Sequence, residues 1–542
     1  MMAHGCMSSP VSGHKGVSME SLTASQRGTT MSVKWILGDA QSPSHLATQD
    51  RTAVLWEHGE RSYRQLRERA LNIARWLREQ GLQDGDRVAG LMYNRGEIFD
   101  IYFACALAGL TYVPINFRLH SNEVTKVFTD CEPKAVFVAR ELADVARGSV
   151  VDADLPGCSI VELEDEQAGV DYDRISTATG LLAESHDTDI QVILYTSGST
   201  GTPKGVVLTH DNVMTFAMQQ AYLFEHFDRR SVTMLTGPMY NQAAINEQSL
   251  PTFVMGATVA ILPSRGWTPD RMIDHIDGWQ VTHTIIYPSM IKAVLAAYRL
   301  RTKSMQSLKF VLTGGENLPP VLIEEFLRTL PDVHFLQAFG SSESGFMSVI
   351  SNEEMLEHPG SVGQAAATQT FYIGDLEGNP LPLGETGEIW TRGPGTSSGY
   401  WRAPELTAST FREGWCRMGD LGRIDEEGYL YLAGRSKDMI ISKGQNIYPA
   451  EIENALRLSP DVADVAVVGL PDDEFGEIVC AAVVLEPGAR VTAEELIDFS
   501  RDHIASFKKP RRVEFFETLP RNPSQKVLKD QVLELVIERT SR

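Results

Sequence analysis

Residues 190–208 read IQVILYTSGSTGTPKGVVL, and this stretch sets how the rest of the chain is read. Its opening apolar run has the composition of a buried strand. Residues 195–206, YTSGSTGTPKGV, then gather Gly198, Gly201 and Gly205 with the hydroxyls of Thr196, Ser197, Ser199 and Thr200, and with Lys204. Glycine lets backbone N–H groups approach an anion closely, while hydroxyls and a lysine add donors and charge. The segment therefore reads as a phosphate cradle. The plain alternative is a Ser/Gly-rich turn, but a flexible linker rarely follows a buried strand and rarely carries Pro-Lys-Gly. The pattern GxxxxGK[ST] fails, because Pro203 precedes Lys204 and Gly205 follows it, so a standard P-loop NTPase is excluded.

Upstream, the run from Ser62 places Leu66, Ala70, Ile73, Ala74 and Leu77 at helical spacing, with Gly81 as a stop. DRVAGLM, EIFDIYFACALAGL and TYVPIN then read as strand, buried helix and strand, a βαβ unit with a parallel sheet. KAVFVA, ATVAIL, THTIIYP and KFVLTGG continue the rhythm, which predicts a large α/β body. From about Gly374 the chain turns dense in Gly, Pro and Thr, as in a small β unit attached to that body. Beyond residues 435–437 a tail with two strands and two helices reads as a separate α+β domain.

The chain has 542 residues and a formal net charge of −22, with Asp+Glu at 71 against Lys+Arg at 49. So acidic a surface repels a phosphate backbone and argues against nucleic-acid binding. It does not bar a small polyanion held in one locally basic cleft. The 6 cysteines include no CxxC pair, which fits reduced thiols in a cytoplasmic enzyme. No apolar run reaches membrane-spanning length. The Ser/Gly/Met-rich start lacks a signal-peptide core, so residues 1–32 are expected to be a disordered leader.

The segment YTSGSTGTPKG resembles the phosphate-loop signature of the adenylate-forming superfamily, which holds acyl-CoA synthetases, peptide-synthetase adenylation domains and luciferases. Further motifs follow in the family's order, from about residue 35 to 535. TGGENLPP (residues 313–320) is similar to the glycines that pass over adenine and the acyl group, which implicates Gly314, Gly315 and Glu316. QAFGSSESG (337–345) resembles the Tyr-Gly-x-Thr-Glu motif, with Phe339 in the aromatic place and Ser342 in the hydroxyl place. The resemblance lays Phe339 and Gly340 against adenine and has Glu343 hold Mg²⁺ on the phosphates. A lone Glu in a loop is ordinarily solvated, and only the motif singles this one out. A serine hydrolase is excluded, because GxSxG is absent at Ser341.

GWCRMGD (414–420) is similar to the stretch ending in Thr-Gly-Asp, with Met418 replacing Thr. By resemblance Asp420 accepts both ribose hydroxyls. GRSKD (434–438) supplies Arg435 for ribose and phosphates and Lys437 at the hinge. LPRNPSQKVLK (519–529) resembles the C-terminal Pro-Arg-x-x-x-Gly-Lys signature, with Gln525 where Gly is usual. Lys526 is then the mobile lysine for the carboxylate and α-phosphate. The resemblance implies that SKGQN (442–446) lines a pantetheine tunnel, where Gly444 leaves room for the thiol arm.

The resemblance implies a large N-terminal body of αβ sheets with a small β unit, residues 33–435. A small mobile α+β C-terminal domain, 436–542, carries Lys526. It implies a carboxylic acid:CoA ligase that uses ATP, Mg²⁺ and coenzyme A, with Lys526, Glu343 and Lys204 as the catalytic set. The acyl pocket draws on residues 237–248, including Tyr240 and Asn241, and on Tyr287, Gly314, Phe346 and Met347. Many CoA-using relatives carry His at the place of Asn241. Asn246, Glu247 and Gln248 either line the pocket or face solvent on a helix. A fatty, cyclic or aryl acid is preferred over an amino acid, since no Asp/Lys pair grips a zwitterion. Two alternatives are a ligase that loads a carrier protein in trans, or an amine, and a degenerate nucleotide-binding regulator. A monomer or homodimer is expected, as the family is often dimeric.

Overall fold

The computed structural model describes residues 31–38, 49–164, 170–177, 189–196, 203–301, 303–315, 318–375, 377–443, 445–472, 474–521 and 527–540. The leader expected over 1–32 thus lies outside the described residues as far as Thr30. Of that span, Met31 and Ser32 are described. The Met31 amide donates to Asp211 Oδ1 at 2.9 Å, the Val33 amide meets His210 Nδ1 at 3.2 Å, and Ser32 and Val33 are buried. Among the described residues, the packed body starts with Met31.

The helical run from Ser62 forms Tyr63–Glu79, with the Ser62 hydroxyl accepting from the Gln65 amide and Gln65 reaching back to the Ser62 amide. Leu66, Ala70, Ile73, Ala74 and Leu77 are all fully buried, as their spacing predicts. Each buried Leu or Ile contributes about 1.5–3 kcal/mol. Strands Arg87–Leu91, Thr111–Pro114 and Ala135–Ala139 are parallel neighbours, and the helix Glu97–Leu107 between the first two is buried from Glu97 to Ala106. The βαβ expectation holds there.

Among the described residues the strands form three sheets. One has 7 strands and contains Ile190–Thr196 beside Lys204–Thr209. These two are antiparallel, so the glycine-rich segment joins the arms of a hairpin. A second sheet has 14 strands, parallel from Thr52–Trp56 through Thr258–Ile261, Val232–Leu235, His283–Ile285 and Phe310–Gly314 to His334–Ser341. It continues antiparallel through Gly345–Ser351, Ser361–Ala365, Leu430–Arg435, Trp415–Ile424, Gly387–Arg392 and Thr370–Gly374. The Gly/Pro-rich unit is therefore no separate attachment but an extension of the body's own sheet. Gly363 makes the join: a Cβ there would stand 1.9 Å from the Val349 carbonyl oxygen, at a φ of 94° that favours glycine.

The third sheet, of 5 strands, includes Ile440–Ser442, Val462–Asp472 and Gly476–Leu485. It has its own core of Ile440, Ile452, Leu456, Val465, Val467, Leu496 and Val513. The 3₁₀ turn Ser436–Asp438 links it to Leu430–Arg435 of the larger sheet. Among the described residues no helix is long and apolar enough to cross a membrane.

Candidate functional site

Thr196 and Lys204 face each other at the mouth of the hairpin. The cradle residues Ser197, Gly198, Ser199, Thr200 and Gly201 lie outside the described residues, as do Glu316, Gly444 and Lys526. Gly205 lets the arms close: a Cβ there would meet Ile193 Cγ2 at 2.8 Å and Trp401 Cβ at 3.2 Å. The Tyr195 hydroxyl donates to Asp130, and the Trp401 amide donates to the Gly205 carbonyl at 2.7 Å.

The short strand Gly399–Tyr400 lies antiparallel to Lys204–Thr209, with Tyr400 opposite Val206. It brings the Tyr400 hydroxyl to Glu343, where it donates to Oε1 at 2.8 Å. The Ser397 amide donates to the Glu343 carbonyl at 2.7 Å. Burial and the adjacent carboxylate push the Tyr400 phenol far above its ordinary range, so it remains a proton donor. Glu343 sits at the tip of the turn between His334–Ser341 and Gly345–Ser351. Ser341 Oγ accepts from the Glu343 amide at 3.2 Å and the Ser344 amide at 3.3 Å, which stiffens that tip. A Cβ on Gly345, whose φ is 68°, would strike the Phe216 ring at 2.6 Å. Tyr400 leaves Glu343 Oε2 with no hydrogen-bond partner among the described residues, and a half-buried carboxylate with a spare oxygen suits a hard cation shared with phosphates.

Gly314 runs beside Ala338 in the parallel pair Phe310–Gly314 and His334–Ser341, and a Cβ on it would stand 2.3 Å from the Ala338 oxygen. The exposed Gly315 adopts a φ of 77°. Phe339 and Met418 pack on one apolar cluster, and Met418 Sδ is 4.0 Å from Ser341 Oγ. Two residues further on, Asp420 pairs in register with Arg435, and Arg435 Nε lies 3.3 Å from Asp420 Oδ1. Both expected ribose residues thus meet, as an ion pair beside the Phe339 wall. Gly340 is exposed and Ser342 half-buried on the same turn. Lys437 Nζ lies 3.4 Å from Asp530 Oδ2, which ties the linking turn to the last helix.

On the acyl side, the Tyr240 hydroxyl accepts from Arg118 at 2.8 Å, and Phe117 meets its ring edge-on at 5.4 Å. Asn241 starts the next turn, where its carbonyl accepts from the Ile245 amide at 3.2 Å. Phe346 and Phe216 pack edge-on at 5.2 Å, in a cluster that Ala243, Leu223 and Tyr287 adjoin. Asn246, Glu247 and Gln248 are buried, not solvent-facing.

The family model for the AMP-binding enzyme matches residues 44–401, and the model for the AMP-binding enzyme C-terminal domain matches residues 451–526. The chain belongs to the AMP-binding enzyme family. Indoleacetate–CoA ligase of Aromatoleum aromaticum is 34% identical over 502 residues, 90% of this chain and 96% of that one. The fatty acid–[acyl-carrier-protein] ligase ScoC of Streptomyces coeruleorubidus is 34% identical over 491 residues, 89% of this chain and 92% of that one. The ATP-bound structure of MatB from Rhodopseudomonas palustris matches with a TM-score of 0.84 at 29% identity, covering 94% of this chain and 99% of that one. The fold of this AMP-binding enzyme is that of the adenylate-forming proteins, a large N-terminal α/β domain with a small C-terminal one.

Sequence reading passed over Tyr400, Ser397, Phe216 and Gln220 in this AMP-binding enzyme. Only the aromatic pair Tyr400-Trp401, closing a Gly/Ser-rich stretch, hinted at the first. Tyr400→Phe removes one hydrogen bond to a carboxylate and keeps the ring, which packs against Phe411 at 5.8 Å. A hydrogen bond to a charged group is worth about 1.5–3 kcal/mol. The variant is expected to keep its melting temperature and lose roughly 10-fold or more in kcat/KM for ATP, read by pyrophosphate release.

Glu247 gives a second expectation. Burial pushes its carboxyl up to about 8 from 4.5. Between those pH values the native state holds a proton that the unfolded chain gives up, so unfolding becomes easier as pH rises. The loss starts near pH 4.5 and is complete above about 8. Glu247→Gln removes this dependence. Its melting midpoint should exceed the parent's at pH 8 and converge with it toward pH 5, by differential scanning calorimetry.

Proposed function

We propose that this AMP-binding enzyme is an ATP-dependent carboxylic acid:CoA ligase. It activates a hydrophobic acid (fatty, cyclic or aryl) as an acyl-adenylate and transfers the acyl group to the CoA thiol, releasing AMP and pyrophosphate. One observation carries the reading. Lys204–Thr209 pairs with Gly399–Tyr400, Tyr400 holds Glu343, Asp420 meets Arg435, and Phe339 and Met418 share one apolar cluster. The acids named for the two similar ligases, indoleacetate and a fatty acid, are both hydrophobic and support this substrate class.

The chemistry follows from charge. A carboxylate oxygen attacks the α-phosphorus of ATP, the bond to the β-phosphate oxygen breaks, and pyrophosphate leaves. Both reactants are anions, so the protein's task is to align them and offset their charge. Lys204, Arg435 and Lys526 bring positive charge to the phosphates, and Asp420 orients the ribose. Glu343, held by Tyr400, would hold Mg²⁺, which would neutralise phosphate charge. In the second step the thiol sulfur attacks the acyl carbon and AMP leaves with the C–O bond electrons, the thiol proton passing to solvent. The C-terminal domain, residues 436–542, turns about Lys437 between the two steps. Lys526 then leaves and the segment around Gly444 receives the pantetheine arm. The buried free thiols of Cys105, Cys131, Cys416 and Cys480 suit a reducing, cytoplasmic setting.

Asn241 favours a second reading, in which the acceptor is a carrier-protein phosphopantetheine or an amine, since many CoA-using relatives have His there. An acid panel with ATP and either CoA or hydroxylamine separates the readings. AMP release that requires CoA supports the first. Hydroxamate formation without CoA turnover supports the second, and the absence of any pyrophosphate exchange would leave only a nucleotide-binding regulator.

A further inference from the structure

Three polar side chains are buried beside the proposed acyl site, and two of them, Gln220 and Gln248, find no hydrogen-bond partner among the described residues. Glu247 is 7% exposed, Gln248 1% and Gln220 0%. Among the described residues both amide atoms of Gln220 and of Gln248 lack a hydrogen-bond partner. Burial alone pushes the Glu247 carboxyl up. Asn246 shows what a satisfied neighbour looks like. Its Oδ1 accepts from the Tyr102 hydroxyl at 2.9 Å, and its Nδ2 donates to Gln242 Oε1 at 2.8 Å. A folded interior seldom tolerates unpaired polar groups unless water, an ion or a ligand completes them.

Two periodicities show where these groups face. Ala243–Gln248 is a π-helical turn, in which residues four or five apart stack, and such turns cluster at functional sites. Ala243 packs on the cluster holding Phe216 and Phe346, with Leu223 and Tyr287 at its margin. Glu247 and Gln248 follow Ala243 by four and five positions and so share its face. In the helix His210–Leu223, Gln220 stands one turn beyond Phe216, on the stripe that Phe216 presents to Phe346. That helix packs directly on the π-helical turn. One apolar wall therefore carries a carboxyl and two amides.

We propose that the acid this enzyme activates carries a hydrogen-bonding group, a hydroxyl or an N–H, at the end remote from its carboxylate. Glu247 receives that group, with Gln220 and Gln248 beside it. The substrate is thus a polar-tipped aryl or alkyl acid and not a plain hydrocarbon acid. This rests on the adenylation reading. A carboxyl and an amide oxygen accept from the donor, while an amide NH₂ gives to its oxygen. A site built to pair a substrate hydroxyl strongly rejects the analogue that lacks it, because its own buried groups are left unpaired.

The test uses matched probes: 3-(4-hydroxyphenyl)propanoate against 3-phenylpropanoate, and 8-hydroxyoctanoate against octanoate. Binding is read by calorimetry and activation by ATP-dependent pyrophosphate release, on the full chain and on Glu247→Leu and Glu247→Gln, with melting curves for each. In at least one pair the parent should favour the hydroxylated acid by roughly 10²-fold in kcat/KM and bind it more tightly. Glu247→Leu should abolish or invert that preference, and Glu247→Gln should retain part of it. Equal use of both members, or a preference that survives Glu247→Leu, would overturn the proposal and leave these groups to water. Binding without pyrophosphate release from any acid would defeat the adenylation reading alone, and the calorimetric preference would still decide the role of Glu247.

Discussion

Lys526→Ala is expected to slow adenylation by ~10²–10³ and to leave thioester formation from pre-made acyl-adenylate near the parent rate. The magnitude is that of losing one preorganised donor where transition-state charge develops. Adenylation brings two anions together, so a cation that meets both the carboxylate and the α-phosphate acts on the barrier itself. Thiol attack on the adenylate needs no such cation, because AMP is already a good leaving group. The two half-reactions should therefore separate. Pyrophosphate exchange reads the first, and CoA-dependent consumption of synthetic acyl-adenylate reads the second. Equal loss in both would reject the exchange of C-terminal domain positions about Lys437. The ion pair of Lys437 with Asp530, four residues beyond Lys526, ties the turn at 436–438 to the last helix.

Glu343→Gln is the second large expectation. The substitution keeps an oxygen to accept from the Tyr400 hydroxyl, so the turn and its hydrogen bond to Ser397 should survive. It removes the negative charge, and hard cations are held by charged oxygen ligands. Activity at limiting Mg²⁺ should fall roughly 10²-fold, with a higher Mg²⁺ requirement and little change in binding of the organic acid. Titrating pyrophosphate release against Mg²⁺ checks this. An unaltered Mg²⁺ dependence would remove Glu343 from the metal. Set beside Tyr400→Phe, the comparison separates the carboxylate's charge from its orientation.

Much of the architecture was legible where it depends on local periodicity. The buried stripe of Tyr63–Glu79, the βαβ units and the separate tail domain follow from spacing within one or two elements. The fate of the 374–435 segment was not legible. Its glycines and prolines signalled strands and turns, but they carry no mark of the edge to which those strands bond. The pairing of Ser361 and Gly363 with Tyr431 and Leu430 joins the segment to the body's sheet. The burial of Asn246, Glu247 and Gln248 was equally hidden. Polar residues on a short helical stretch point to solvent by default, and tertiary packing, including that of the helix His210–Leu223, closes that face.

The sequence by itself determined the kind of chemistry. Glycines, hydroxyls and a lysine within one short loop describe an anion cradle wherever the fold puts them, because their spacing alone governs what they can bind. The tertiary structure decided which remote residues complete the site. Tyr400 reaches Glu343 across 57 positions, Asp420 meets Arg435 through strand register, and Glu247 and Gln220 are both buried. Such meetings depend on sheet order and side-chain packing summed over the whole body. No window of sequence contains that information, since each contact is fixed by elements far from the residues that make it.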